Sequence, residues 1–260
     1  MPAPTKTVKV AAVQIKPDRR SVQKTIEQAA RLVTSARKKE VDLVCLPEHW
    51  LPEQSIPTPI NPIPELQNLA EENSVGIVGG AFYERVNGSV RLSTPIISNN
   101  GKLLGRQFKM HLFRSERKIA KAGDKYNIFK MGRYNLGVLV CYDVDFPEPS
   151  RIYATHGAEI LACPSRIVKP GIHPWRQYLT VRCLENRMPI IAPNVFSLPW
   201  FDGHSTILSL QEEHRTHIAL PKIGSLDTRG EGVLFENIDL DFHNRLRRER
   251  FADRRPNTYN

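Results

Sequence analysis

The chain has 260 residues, 40% hydrophobic and 25% charged, which suits a folded globular protein and excludes fibrous and disordered classes. No stretch comes near the roughly 18 apolar residues of a spanning helix, and MPAPTKTVKVAAVQI lacks the pattern of a secretion signal, so a soluble, cytoplasmic protein is expected. The 37 Lys and Arg against 27 acids give a formal charge of +10 and raise the question of a nucleic-acid partner, although much of the excess sits in HNRLRRERFADRRP near the C-terminus.

Along the chain, short apolar runs alternate with amphipathic ones. VKVAAVQI reads as a strand, and SVQKTIEQAARLVTSARKKE as a helix capped by Ser21. VDLVCLPE is a second strand, and the proline-rich LPEQSIPTPINPIPE a restricted loop. IPELQNLAEENS is helical and VGIVGGAF extended; VRLSTPIISN and KLLGRQFK form a hairpin around residues 99–101. YNLGVLVC is a strand, PEPSRIYATHG a helix closed by Gly157, and EILACPS a strand. PWRQYLTVRCLENR is a longer helix, and MPIIAPNVF and HSTILSL return to strand. The alternation predicts one α/β domain over residues 1–240, followed by a basic extension over 241–260.

Four cysteines form no C-x-x-C pair, and no Cys/His cluster has zinc spacing, so no structural metal is expected. Cys45 and Cys163 lie inside apolar runs and read as small core residues. Cys141 differs, because it closes the run Leu136–Val140 just where the chain turns polar. Glu48 follows LVCLP and Lys109 follows GRQF at the ends of two other runs. Functional side chains emerge where strands end, and these three supply one reaction. A carboxylate takes the proton of a thiol, the thiol attacks a carbonyl carbon, and an ammonium lowers the thiol pKa and holds the developing oxyanion. That chemistry is acyl transfer through a thioester. His111, His173 and His204 allow a Cys-His alternative, which ranks low because lone histidines in loop-like sequence are more often structural.

These motifs, in order, resemble the nitrilase, or carbon-nitrogen hydrolase, superfamily. KVAAVQIKP resembles its opening strand, DLVCLPEHW its glutamate motif, GRQFKMHLF its lysine motif and GVLVCYDVDFPEPSR its nucleophile motif. PWRQYLTVRCLEN and the closing RRPNTY resemble further family segments. The resemblance implies a four-layer αββα sandwich with Glu48 as general base, Lys109 and the Tyr142 N–H as oxyanion donors, Cys141 as nucleophile and Glu116 as the supporting carboxylate. It also implies no metal or organic cofactor, and a homodimer or higher homo-oligomer, with the basic extension reaching an interface. Nucleic acid then becomes an improbable partner, and the arginine-rich end reads as an interface arm.

The Cys141-Tyr142-Asp143 step resembles the amidase and carbamoylase branches, which favours a small amide or N-carbamoyl substrate over a nitrile. A true nitrilase is the alternative among enzymes, and a basic nucleic-acid-binding scaffold the alternative outside them. Asp145 stands where the family pattern has an arginine, and Arg166 and Lys169 stand where it has small or aromatic residues. Tyr142, Arg166 and Trp175 are the expected substrate-binding residues, Arg166 through a bidentate hold on a carboxylate or, failing that, in an ion pair with Asp145 or Glu148.

Overall fold

The computed structural model describes residues 5–51, 60–227 and 230–258. Most of the proline-rich loop and the Tyr259 of the closing motif lie outside the described residues. The strands are β1 (Thr7–Gln14), β2 (Leu43–Cys45), β3 (Gly76–Val78), β4 (Phe82–Val86), β5 (Ser89–Ile97), β6 (Leu103–Phe108), β7 (Phe129–Met131) and β8 (Tyr134–Val138). They continue with β9 (Ile160–Ala162), β10 (Ile190–Ala192), β11 (Phe196–Ser197), β12 (Phe201–Asp202), β13 (Thr206–Glu212), β14 (Ala219–Ser225) and β15 (Gly232–Asp239). The α-helices are α1 (Val22–Arg37), α2 (Ile63–Asn73), α3 (Pro147–Thr155), α4 (Ile172–Asn186) and α5 (Leu240–Ala252).

Two sheets face each other. One runs β15-β1-β2-β3-β5-β4, with β6 also on β5; the other runs β14-β13-β10-β9-β8-β7. β1 shows why the layers form. Val8, Val10 and Ala12 point into the inter-sheet core, while Ala11 and Val13 point outward to the helix layer. A strand buried on both faces must be apolar throughout, which is how VKVAAV reads. Leu43 and Ile96 meet Leu136, Val138, Ile160 and Ile191 between the sheets.

On the outer face of the first sheet, Ile26, Ala29 and Val33 of α1 join Leu66 and Ala70 of α2. Ser21 caps α1 by accepting the Lys24 N–H at 3.2 Å. On the other side, Tyr153 of α3 and Leu179 and Cys183 of α4 cover Leu161 and Ile190. Three separate apolar cores therefore hold four layers in the order helix, sheet, sheet, helix, the αββα sandwich. Cys45 sits in the inter-sheet core and Cys163 beneath α3 and α4, both fully buried.

Strands β4, β7, β14 and β15 go beyond the elements read from the sequence. β15 pairs with β1 from Thr7↔Asp239 to Gln14↔Gly232, so the two ends of the chain close one sheet. The arginine-rich segment follows at once as α5, capped by Asp239, which accepts the Phe242 N–H at 3.0 Å. Its Leu240, His243 and Leu246 are buried, and His243 Nε2 accepts the Leu210 N–H at 3.1 Å. Among the described residues, no helix is long and apolar enough to cross a membrane.

Candidate active site

Glu48, Lys109 and Cys141 all stand where strands run out at one edge of the sandwich. β2 ends at Cys45, and three residues later Glu48 bridges Ala81 and donates its N–H to Ser165 O at 3.2 Å. β6 ends at Phe108, and the Lys109 backbone is held by Leu92 O on the neighbouring strand at 2.9 Å. Beyond β8, Leu139 and Val140 are fully buried, and the chain reverses at Cys141 with φ of 48°. That left-handed conformation is costly for a residue with a Cβ, and it turns the sulfur out of the sheet into a 3-10 helix, Cys141–Asp145. Pro147 opens α3, where its missing N–H costs nothing.

Lys109 is 1% exposed, and its Nζ lies 2.7 Å from Glu48 Oε1 and 2.9 Å from Glu116. Burial alone would strip the proton from such an amine. The charges of Glu48 and Glu116, and the hydrogen bond to Glu48, act against burial and hold the ammonium above its ordinary range. Glu116 lies in the short helical turn Arg114–Lys118 and accepts the Phe113 N–H at 2.6 Å. Burial acts to raise its pKa, but His49, Lys109 and the Phe113 N–H together bring it below the ordinary value.

Cys141 corrects one expectation. Burial pushes its thiol well above the usual range and the Glu48 charge adds to this; Lys109 and the Arg166 backbone only partly offset them. These surroundings favour the protonated thiol, with Glu48 beside it, over a standing thiolate. Lys109 fails to ionise it because its own charge is already shared by two carboxylates.

Asp143 and His49 are site residues that the sequence reading passed over. Asp143 is buried; it accepts the Val140 N–H at 3.0 Å and the His111 N–H at 2.8 Å, and His111 Nδ1 lies 2.9 Å away. One carboxylate thus ties the loop carrying Lys109 to the turn carrying Cys141. His111 meets this carboxylate and stacks on Phe146 at 4.0 Å, while His204 lies near Asp202 and Asp227. The histidine that does line the cavity is His49, whose Nε2 is 3.4 Å from Glu116 Oε1. Its signal in the sequence was only its place beside Glu48.

The cavity measures about 590 Å³ and brings together all seven residues expected at the site: Glu48, Lys109, Glu116, Cys141, Tyr142, Arg166 and Trp175. Arg166 lies over the Phe201 ring at 4.7 Å, and Tyr142 packs edge-on against Phe113 at 5.1 Å. Ligand atoms of Glu48, His49 and Glu116 lie within 4.8 Å of one another, the spacing of a metal site. A metal there would have to displace the Lys109 ammonium, which both carboxylates already hold.

The sequence pattern of the carbon-nitrogen hydrolase family matches residues 9–243. A probable nitrilase of Schizosaccharomyces pombe is 33% identical over 202 residues, covering 75% of this chain and 71% of that protein. The omega-amidase NIT2 of Xenopus tropicalis is 25% identical over 248 residues, 86% of each chain. The crystal structure of a carbon-nitrogen hydrolase from Helicobacter pylori G27 superposes with a TM-score of 0.81 at 25% identity, covering 97% of both chains. The match across nearly the whole sequence, on the same sandwich, means that this chain belongs to the carbon-nitrogen hydrolase family of the nitrilase superfamily.

Proposed function

We propose that this hydrolase of non-peptide carbon–nitrogen bonds acts on a small amide or N-carbamoyl compound and releases ammonia through a thioester on Cys141. The observation that carries the reading is the buried Glu48–Lys109–Glu116 chain of ion pairs meeting the Cys141 thiol at the floor of one cavity. Glu48 takes the thiol proton as the sulfur attacks the carbonyl carbon. The oxyanion is received by the Lys109 ammonium and by the Tyr142 N–H, which lies in the first turn of a helix and has no intrahelical acceptor. Collapse of the tetrahedral adduct breaks the C–N bond, and Glu48 returns its proton to the departing nitrogen, giving ammonia. Water then attacks the thioester with Glu48 again as base, and the acid leaves. Glu116 keeps Lys109 charged and in place. Tyr142, Trp175 and Arg166 form the acyl pocket in this reading, Arg166 as a hold for a carboxylate.

The names of the relatives include both amidase and nitrilase, so the experiment compares an amide with its matched nitrile. The amide is expected to yield acid and ammonia, and the nitrile to be turned over far more slowly. Cys141→Ala should abolish turnover while leaving thermal unfolding within a few degrees of wild type. Preference for the nitrile would reassign the enzyme as a nitrilase, and ammonia release by Cys141→Ala would end the reading altogether.

A further inference from the structure

Asp145 ends the 3-10 helix that begins at Cys141 and lines the same cavity. Its carboxylate receives no hydrogen bond and no ion pair from any described residue. Arg182, whose charge acts on this carboxylate, is engaged elsewhere. Arg182 donates to the carbonyls of Val144 at 3.1 Å and Asp145 at 2.9 Å, and to Glu185 Oε1 at 3.3 Å. Burial pushes the Asp145 carboxyl up, with Arg182 and Lys109 acting the other way. A half-buried carboxylate without a hydrogen-bond partner carries a desolvation cost, which the charges of Arg182 and Lys109 offset only in part.

The cavity as a whole points the same way. Its described ionisable lining sets the carboxylates of Glu48, Glu116 and Asp145 against the permanent cations Lys109 and Arg166, leaving one negative charge in excess. That occurs in a protein whose net charge is +10. Glu48 and Glu116 share Lys109 and account for that excess, and Asp145 is the carboxylate of the three that makes no ion pair with a described residue.

We infer that Asp145 is a specificity residue that binds a protonated amine on the acyl part of the substrate, so that the preferred substrates are amino-substituted amides. The inference rests on the amide-hydrolase reading above and narrows it. Four residues of 3-10 helix at about 2 Å rise place Asp145 roughly 8 Å along from Cys141. A chain of a few carbons between the scissile carbonyl and the ammonium spans that distance with one hydrogen bond to spare.

The test measures ammonia release from butyramide, β-alaninamide, 4-aminobutyramide, 5-aminopentanamide and succinamate by wild type, Asp145→Asn and Arg166→Ala. Wild type is expected to favour at least one of the three amines over butyramide in kcat/KM. A charge-assisted hydrogen bond corresponds to roughly tenfold or more. Asp145→Asn should remove that preference and leave butyramide within about twofold, which also reports that the variant folds. Arg166→Ala should instead raise KM for succinamate alone. Equal handling of amines and butyramide by wild type, or an equal loss on both in Asp145→Asn, overturns the inference. Calorimetric titration of the same amines into Cys141→Ala, with and without Asp145→Asn, gives a second readout. If no amide is hydrolysed, the amidase reading falls, while amine binding that depends on Asp145 still decides the inference.

Discussion

At the scale of single residues, the candidate site is built on shared charge, with Glu48 and Glu116 both paired to the buried Lys109. Glu48 is at once the acceptor for the Cys141 thiol and a cause of that thiol's raised pKa. Removing its charge should therefore favour the thiolate. In Glu48→Gln, the pH midpoint of iodoacetamide alkylation at Cys141 is expected to fall while turnover drops by about a hundredfold or more. An unchanged or higher midpoint would show that Glu48 does not govern the proton on sulfur. Glu48, Lys109 and Cys141 were legible in the sequence as a candidate set because each ends a strand-like run. Asp143 and His49 were not, because their partners are remote in sequence: Asp143 meets His111, and His49 meets Glu116. The raised thiol pKa was also illegible, since it follows first from burial and then from the Glu48 charge beside the sulfur, both set by the tertiary fold.

At the scale of elements, Glu159 joins three parts of the molecule. It accepts Lys6 Nζ at 2.6 Å ahead of β1, Asn244 Nδ2 at 2.7 Å on α5 and the Asn135 N–H at 3.1 Å on β8. Burial alone would raise its pKa, but these three donors bring it below the ordinary value of 4.5. A carboxylate with a depressed folded pKa contributes stability above its unfolded value and loses it as pH falls through the folded one. Glu159→Gln should cost about 1 kcal/mol in urea unfolding at pH 7, allowing for solvent screening. The gap from wild type should narrow as pH falls below the ordinary carboxylate range; a gap that does not change with pH would mean packing, not charge. Strand recognition failed where tertiary pairing decides the outcome. β4 was missed although Asn87–Gly88 is a hairpin turn joining it to β5. β14 carries Pro221 at a sheet edge, and the pairing of β15 with β1 joins opposite ends of the chain.

At the scale of the whole molecule, the α/β class was legible from alternating strands and helices and the layer order from the family resemblance, while the place of the C-terminal segment was not. Its arginines are partly tied to the body of the protein: Arg245 pairs with Glu212 at 2.7 Å and Glu249 at 3.1 Å, and Arg247 donates to the Ala158 carbonyl. The proposal that residues 241–260 serve a homodimer interface predicts a dimer mass for the full chain in light scattering. Charge reversal at the exposed Arg248 and Arg250 should shift that mass toward monomer without loss of fold. A monomeric full chain would remove the interface role, and tight, salt-steep binding to duplex DNA would favour the scaffold alternative. The account as a whole depends on an acyl group passing through one sulfur. Intact mass spectrometry of wild-type enzyme, acid-quenched during turnover of the amide series, is expected to show a mass gain equal to substrate minus ammonia. Digestion should map it to the peptide holding Cys141, and Cys141→Ala should lack it. Ammonia release without any adduct at Cys141, or with an adduct on another residue, would contradict the account.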